Sequence, residues 1–402
     1  MSLATKPKLT CPAIDDDQYD DKFLLDPYPL YERLREAGPV VRMTYHGTWG
    51  MGRYSDVEAG LRNHETFVSG RGAGLADFKR EKPWRPLSML LESDPPNHTK
   101  SRSVLSRILS PVALRKFQEK FTAEAEARAD EFVRQGTFDV IGDLAEPYIS
   151  HVFPNIIGMP QEGRENLLKY STMAFNAFGP KNKHYEAAVA QVGNAVTWVT
   201  DGCKRASLSP GSIGAQVFEA VDAGTLTEAE GELLVRSFMT AGLDTTIAGV
   251  AALFRNLSEH PEQWAVLRAD HKLVRNAFDE TLRYSAISGG VYRTVGRDTV
   301  LAGVKLAEGD KIWFSTASAN RDPRRWQDPN RFDIRRQTQG HFGFGTGIHG
   351  CIGQMISRME VEALLRAFVT RVRRVELDEY PVRKLSNSVR GYEKMRVRVT
   401  AD

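Results

Sequence analysis

Apolar residues recur at helical spacing over most of this chain, and strand-like alternation is confined to short runs. Asp26-Pro27-Tyr28-Pro29 opens a helix through Glu36, which Gly38-Pro39 stops. Val40 to Met51 reads as a strand pair turning near His46-Gly47, and Asp56 to Asn63 as a short helix. Gly70 to Lys82, rich in glycine and charge, predicts a mobile loop, and Asp94-Pro95-Pro96 opens another helix. Helical periodicity covers 111–135 and 140–175, the second broken at Pro147, Pro154 and Pro160. An apolar turn ends at Gly179-Pro180, and Lys181 to Arg205 predicts one further helix.

The longest periodic run begins at Leu226-Thr227, where Thr227 and Glu230 have capping-box spacing. It continues to about Ser258 and ends at Glu259-His260-Pro261. At ~1.5 Å per residue it is on the order of 45 Å long, enough to cross a domain. Its middle carries Ser237, Thr240, Ala241, Asp244 and Thr245 within one arc, surrounded by apolar residues. Buried polar groups of this kind cost about 1–3 kcal/mol unless paired. Thr245 can bond back to the carbonyl of Ala241 and, with Gly242 nearby, open the helix locally.

A second stretch concentrates chemistry. Phe344-Gly-Thr-Gly-Ile-His-Gly-Cys-Ile-Gly353 sets Cys351 among Gly345, Gly347, Gly350 and Gly353, directly before an amphipathic run from Gln354 to about Val369. Such a loop lets backbone approach a large flat ligand and points free amides and a helix N-terminus at the sulfur. Both effects favour a thiolate, the metal-binding form of cysteine. On spacing alone, a buried structural cysteine and a metal thiolate both stay open.

Composition narrows the rest. Net charge is +3, too mild to imply a nucleic-acid partner. Three cysteines imply no disulfide framework and fit a reducing compartment. The first residues carry no apolar signal segment, and no run reaches the ~18 apolar residues of a membrane span. These features predict a cytoplasmic protein with no membrane partner. No linker divides the chain, so residues 1–22 are expected as a loosely held polar arm and 23–402 as one domain, mainly α with small β-sheets.

The spacing F-x-x-G-x-x-x-C-x-G from Phe344 to Gly353, the A-G-x-D-T-T segment from Ala241 to Thr246, and D-P-P-x-H-x-x-x-R from Asp94 to Arg102 together resemble the cytochromes P-450, the haem-thiolate monooxygenases. The resemblance covers about residues 25 to 400. It implies a helical fold with haem b between the long central helix and the cysteine-loop helix, and Cys351 as the metal ligand. Phe344, Gly353 and Ala241 would contact the haem, and His98, Arg102, Arg293 and His349 would bind its propionates. Thr245 would hydrogen-bond the co-substrate dioxygen, and Asp244 would relay protons. Glu280, Arg283 and Arg331 would form a buried structural cluster. Electrons would come from NAD(P)H through a ferredoxin reductase and an iron–sulfur ferredoxin, steered by Arg102, Arg107, Arg115, Lys116 and Arg358. A haem sensor, the non-enzymatic alternative, has no need of the Asp244–Thr245 pair.

Within that family, R-P-x-S (Arg85, Ser88), F-x-x-F (Phe175, Phe178) and the segment from Val235 carrying Arg236, Ser237 and Thr240 resemble a bacterial subfamily that oxidises para-substituted benzoates, chiefly by O-demethylation of para-methoxybenzoate. Arg85 with Ser88 and Ser237 would anchor the carboxylate, Arg236 would assist from behind, and Phe175 and Phe178 would sandwich the ring. The chain departs from the subfamily at Thr240, usually serine, and at Ser288-Gly289-Gly290-Val291, where an aromatic is usual. Small residues there predict a roomier cavity, open to a cinnamate or a multiply methoxylated benzoate.

Overall fold

The computed structural model describes residues 11–401. Helices dominate. Pro111–Gln135 is capped by the Ser110 hydroxyl on the Ala113 amide and stops at Gly136, where φ is 74°. It packs along Gln354–Val369, the helix that follows the cysteine loop. Leu364, Leu365 and Phe368 on one helix and Phe121, Ala125 and Phe132 on the other are at most 3% exposed.

The central run is two helices end to end, Glu228–Gly242 and Asp244–Glu259. The capping box is formed: the Thr227 amide donates to Glu230 Oε2 at 2.8 Å, and the Glu230 amide to Thr227 Oγ1 at 3.3 Å. The break falls at Leu243, at φ −86° and ψ −78°. Two neighbours explain it. A Cβ on Gly242 would lie 2.1 Å from the Phe153 ring, so the helix needs glycine to pack there. Thr245 Oγ1 donates to the Ala241 carbonyl at 2.8 Å, a side-chain bond of the kind that bends helices. Among the described residues, Glu228–Glu259 is long and apolar enough to cross a membrane, where no such run was expected. The fold itself covers it, with 72% of its most apolar window buried.

The strands form small sheets at the edge of the helices. The largest orders 13–14, 41–43, 48–51, 311–314, 291–295 and 67–68 side by side, and it aims Val291–Val295 toward the cavity described below. Strands 372–377, 396–401 and 137–139 make a second sheet, and 382–384 with 391–394 a hairpin.

Several sequence expectations are corrected. Residues 1–10 of the expected arm lie outside the described residues, but 11–22 are docked: Ala13–Ile14 pairs with Arg42–Met43, and Tyr19 is buried. Pro154 sits inside the helix Glu146–Ile157 without ending it, and Gly158 does that at φ 91°. The helix expected over 181–205 is two, Lys183–Val192 and Ala195–Gly202, parted at Gly193. The 70–82 loop is pinned by Arg71 on Asp77 and by the Ser69 and Gly70 amides on Asp94. In the structural cluster, Arg283 grips Glu280 through two bonds of 2.7 and 2.9 Å, both side chains fully buried. The second arginine on Glu280 is Arg336, at 3.1 Å. Arg331 points to solvent and contributes only its carbonyl, which accepts from Arg283 and Arg336.

Candidate active site

The cysteine loop closes on itself. The Cys351 amide donates to the Phe344 carbonyl at 2.8 Å, and the Gly350 amide to the Gly347 carbonyl at 3.1 Å. Gly347 has φ 70°, and a Cβ there would meet the Leu61 carbonyl at 2.7 Å, so no side chain fits. The loop delivers Cys351 to the start of Gln354–Val369, where the Gly353 and Gln354 amides favour its charged form. Burial nevertheless pushes the thiol up, against those amides and the nearby Arg102 and Arg358. The donors are evident from the loop's sequence, but the desolvation comes only with the fold. A buried sulfur with this donor set becomes a thiolate when a metal cation supplies the missing charge.

A cavity of about 410 Å³ separates the cysteine loop from the central helix. Ala241 and Thr245 line one wall, and Phe344, Cys351 and Gly353 the other. Thr246 Oγ1 donates to Ser357 Oγ at 3.3 Å, which ties the two walls together beside it.

Next to the loop is a group of basic side chains whose polar atoms are only partly paired. His98 and His349 pack with ring centroids 4.4 Å apart, and Nε2 of each is buried without a partner. His349 Nδ1 is spent on the Leu90 carbonyl at 3.0 Å. Arg102 donates to the Gly350 carbonyl, and Arg293 Nη1 to the Tyr292 carbonyl at 2.8 Å. Burial and the surrounding cations press His349 down to about 3, and burial takes Arg293 down to about 10. The nearest acid, Asp94, is capped by two amides. Buried cations held this way call for anions. Two carboxylates, as on haem, satisfy them, and with Cys351 these residues fit that group.

Asp244 is buried at the helix break. Its oxygens accept from Ser171 Oγ at 2.9 Å and Thr172 Oγ1 at 3.3 Å, and burial pushes its carboxyl up. Beside it is a side cavity of about 30 Å³ that Glu146, Lys384 and Tyr392 also line. That is room for a water or two. Lys384 Nζ reaches Thr172 Oγ1 at 3.3 Å. Glu146 and Lys384 escaped the sequence reading because only folding brings them to Asp244. Glu360 escaped it too: it lines the main cavity, fully buried, its Oε1 without a partner and its carboxyl pushed well above the usual range.

The residues singled out for substrate all line the main cavity. Their polar atoms are partly engaged. Arg85 Nη1 pairs with Glu92 at 2.9 Å, while its Nε is buried without a partner. Ser88 Oγ accepts from the Leu91 amide at 3.2 Å. Ser237 Oγ donates to the Leu233 carbonyl and accepts from the Met89 amide at 3.1 Å. Arg236 holds the Arg85 segment from behind through the Pro86 carbonyl at 2.7 Å, and Thr240 Oγ1 donates to the Arg236 carbonyl at 2.7 Å. Phe175 and Phe178 touch each other, with centroids 6.0 Å apart and planes at 56°. A ring between them needs about 7 Å between parallel faces, so they form a corner and not the expected sandwich. Gly289, Gly290 and Val291 line the cavity, but the glycines serve backbone packing. A Cβ on Gly290 (φ 153°) would lie 2.2 Å from the Phe314 carbonyl, and one on Gly289 2.7 Å from the Tyr31 hydroxyl. The space is not the imprint of missing side chains there.

Comparison with known proteins agrees with this geometry. The pattern of the family described as Cytochrome P450 matches residues 212–387. Cytochrome p450 CYP199A2 of Rhodopseudomonas palustris is 45% identical over 390 residues, 97% of this chain and 95% of that protein. Cytochrome P450 107B1 of Saccharopolyspora erythraea is 29% identical over 94% of this chain and 96% of its own. Among solved structures, cytochrome P450 CREJ in complex with (4-ethylphenyl) dihydrogen phosphate superposes with a TM-score of 0.85 at 26% identity, covering 94% of this chain and 98% of that one. Likeness of 45% over almost the full length of both chains shows that this chain belongs to the cytochrome P450 family.

Proposed function

We propose that the substrate is a small aromatic carboxylate, oxidised at the substituent para to the carboxylate. The class of activity follows from the family: the protein is a haem-thiolate monooxygenase, an oxidoreductase that uses haem b and dioxygen. The observation that carries the substrate reading is the charge of the cavity wall. Arg85, Arg236 and Arg390, none of them assigned to a propionate, line it, and the single carboxyl among its lining residues, Glu360, is pushed well above the usual range by burial. An aromatic-walled cavity of that sign selects a flat anion. CREJ, crystallised with a para-substituted phenyl phosphate, gives the same pairing of ring and anion in a relative.

Cys351 would hold the haem, and His98, Arg102, Arg293 and His349 would hold its propionates. The haem, when bound, supplies dioxygen activation and the oxidation of the substituent. The chain's own residues place the substrate and move protons. Arg85 Nε, Ser88 and Ser237 receive the carboxylate, and the Phe175–Phe178 corner limits tilt of the ring. Thr245 Oγ1 offers lone pairs to the cavity while its proton rests on the Ala241 carbonyl. Asp244, its carboxyl pushed up by burial, is the acid behind it, refilled through water in the side cavity. The methyl of a para-methoxy group would be hydroxylated and leave as formaldehyde, with the ether oxygen staying on the ring as a phenol, and a para-alkyl group would be hydroxylated. The cavity extends on to Tyr19 and Phe23, a reach that also favours longer acids such as a cinnamate.

Electrons come from NAD(P)H through a ferredoxin reductase and an iron–sulfur ferredoxin. Arg107, Arg115 and Lys116 are exposed and suit an acidic partner. Arg358 is spent on Asp279 at 2.9 Å, and Arg102 turns inward to the cysteine loop. A binding screen read by the haem spectrum tests the substrate class. Para-substituted benzoates should bind better than their methyl esters, and Arg85→Ala should weaken only the acids. Esters that bind as well as the acids would overturn the reading.

A further inference from the structure

The cavity has a second end, away from Arg85. It lies between the helix Tyr28–Ala37 with the segment before it, the Ser288–Val291 stretch and the loop Ser386–Arg390. Leu24, which is only half-buried, lines this end and brings it near solvent. Arg390 is the cation there. Its backbone is fixed by the Ser288–Val389 bridge and by its amide on the Ile287 carbonyl at 2.8 Å. Its side chain is buried, at 7% exposure for the residue. Nη1 reaches the Ser285 carbonyl at 3.2 Å and the Tyr28 hydroxyl at 3.3 Å, both neutral and both long. Nε has no partner. No carboxylate pairs with it among the described residues, in contrast to Arg85 and its Glu92.

The surroundings add positive charge. Arg321 stacks on Tyr28 at 3.8 Å with Arg390 at 5.3 Å from the same ring, and Arg383 is close enough to act on both Tyr28 and Arg390. A buried guanidinium with an idle donor, facing a cavity among other cations, is a site built for an anion. Tyr28, Tyr31 and Tyr392 favour its charged form against the burial, and its idle Nε leaves a donor that an incoming carboxylate satisfies.

We propose that Arg390 is a second carboxylate-binding position, the station at which an aromatic acid docks as it enters the cavity. This rests on the aromatic-carboxylate reading above. It assigns a different step: Arg85, Ser88 and Ser237 hold the acid in its reacting pose, and Arg390 captures it first.

The test follows association of para-methoxybenzoate and of its neutral amide with the holoenzyme by stopped flow, in the parent, Arg390→Gln, Arg390→Lys and Arg85→Gln. Loss of one charge-assisted bond corresponds to about tenfold. Arg390→Gln should slow association of the acid about tenfold, leave the amide unchanged, and flatten the dependence of the acid's rate on salt. Arg390→Lys should recover part of the rate, and Arg85→Gln should act mainly on dissociation. An unchanged association rate for the acid in Arg390→Gln would overturn the proposal. So would equal slowing of acid and amide, which marks a purely structural residue. If the parent binds the amide as tightly as the acid, it is the substrate reading that fails.

Discussion

The Thr245 hydroxyl donates to the carbonyl of Ala241 at 2.8 Å, at the point where the central helix breaks. Its proton is committed to the helix, and its lone pairs face the cavity opposite Cys351. A residue poised in that way matters for proton delivery more than for binding. Thr245→Ala should lower the rate of product formation by about 10² and waste most of the NADH consumed, while haem content and substrate affinity hold. Thr245→Ser should keep most of the activity. The ratio of product to NADH oxidised checks it, and an unchanged ratio in the alanine variant would contradict it.

Arg283 and Glu280 form a fully buried pair, and Arg336 adds a second contact to Glu280. Removing one partner strands a charge in the core. Arg283→Met should destabilise the protein by about 3–5 kcal/mol in urea unfolding. Arg331→Ala, at a side chain 66% exposed, should stay within about 0.5 kcal/mol. Equal losses at the two positions would restore Arg331 to the cluster.

Glu360 links stability to pH. Its carboxyl is pushed well above the usual 4.5 by burial alone, so the folded protein holds a proton that the unfolded chain releases. That contribution is fully present below about 4.5 and is lost as pH rises toward the folded value. The loss is at most about 1.4 kcal/mol per pH unit. Glu360→Gln removes the dependence. Its stability relative to the parent should therefore climb with pH from about 4.5 upward. Urea unfolding at a series of pH values would show this, and a constant difference would refute it.

The exposed cations Arg115 and Lys116 stand one helical turn from Val112, itself 71% exposed, and the exposed Arg107 is in the last turn of the preceding helix. This patch should set the rate of reduction by an acidic ferredoxin. Charge reversal at Arg115 and Lys116 should slow reduction several-fold at low salt and little at high salt. Arg358 should differ: with its charge on Asp279, reversal there should harm folding first. Reduction that ignores salt and charge reversal would remove the patch from electron transfer.

The site was legible where its parts are close in sequence. The cysteine loop, the capping box at Thr227 and the Thr245–Ala241 bond each follow from a few adjacent residues. So did the His98–Arg102 face, which the fold carries to His349. Side-chain pairings set by irregular turns or by tertiary packing, which carry no regular spacing, were not legible. Glu92 claims Arg85, Arg336 replaces Arg331 on Glu280, and Lys384 approaches Asp244 from the C-terminal hairpin. Gly290 misled for a related reason. A small residue can mark empty space or a backbone packed against it, and only the Phe314 carbonyl shows which. Phe175 and Phe178 were correctly brought together, but spacing carries no information on the angle between their planes.

The absorption spectrum of the reduced, carbon-monoxide-treated holoprotein tests the central claim most directly, since it reports whether the Cys351 sulfur holds the haem iron as a thiolate. The long-wavelength Soret band of thiolate ligation is expected in the parent and should vanish in Cys351→Ser with the fold intact. A parent spectrum with only the short-wavelength band of neutral ligation, or a long-wavelength band that survives Cys351→Ser, would contradict the assignment of this site.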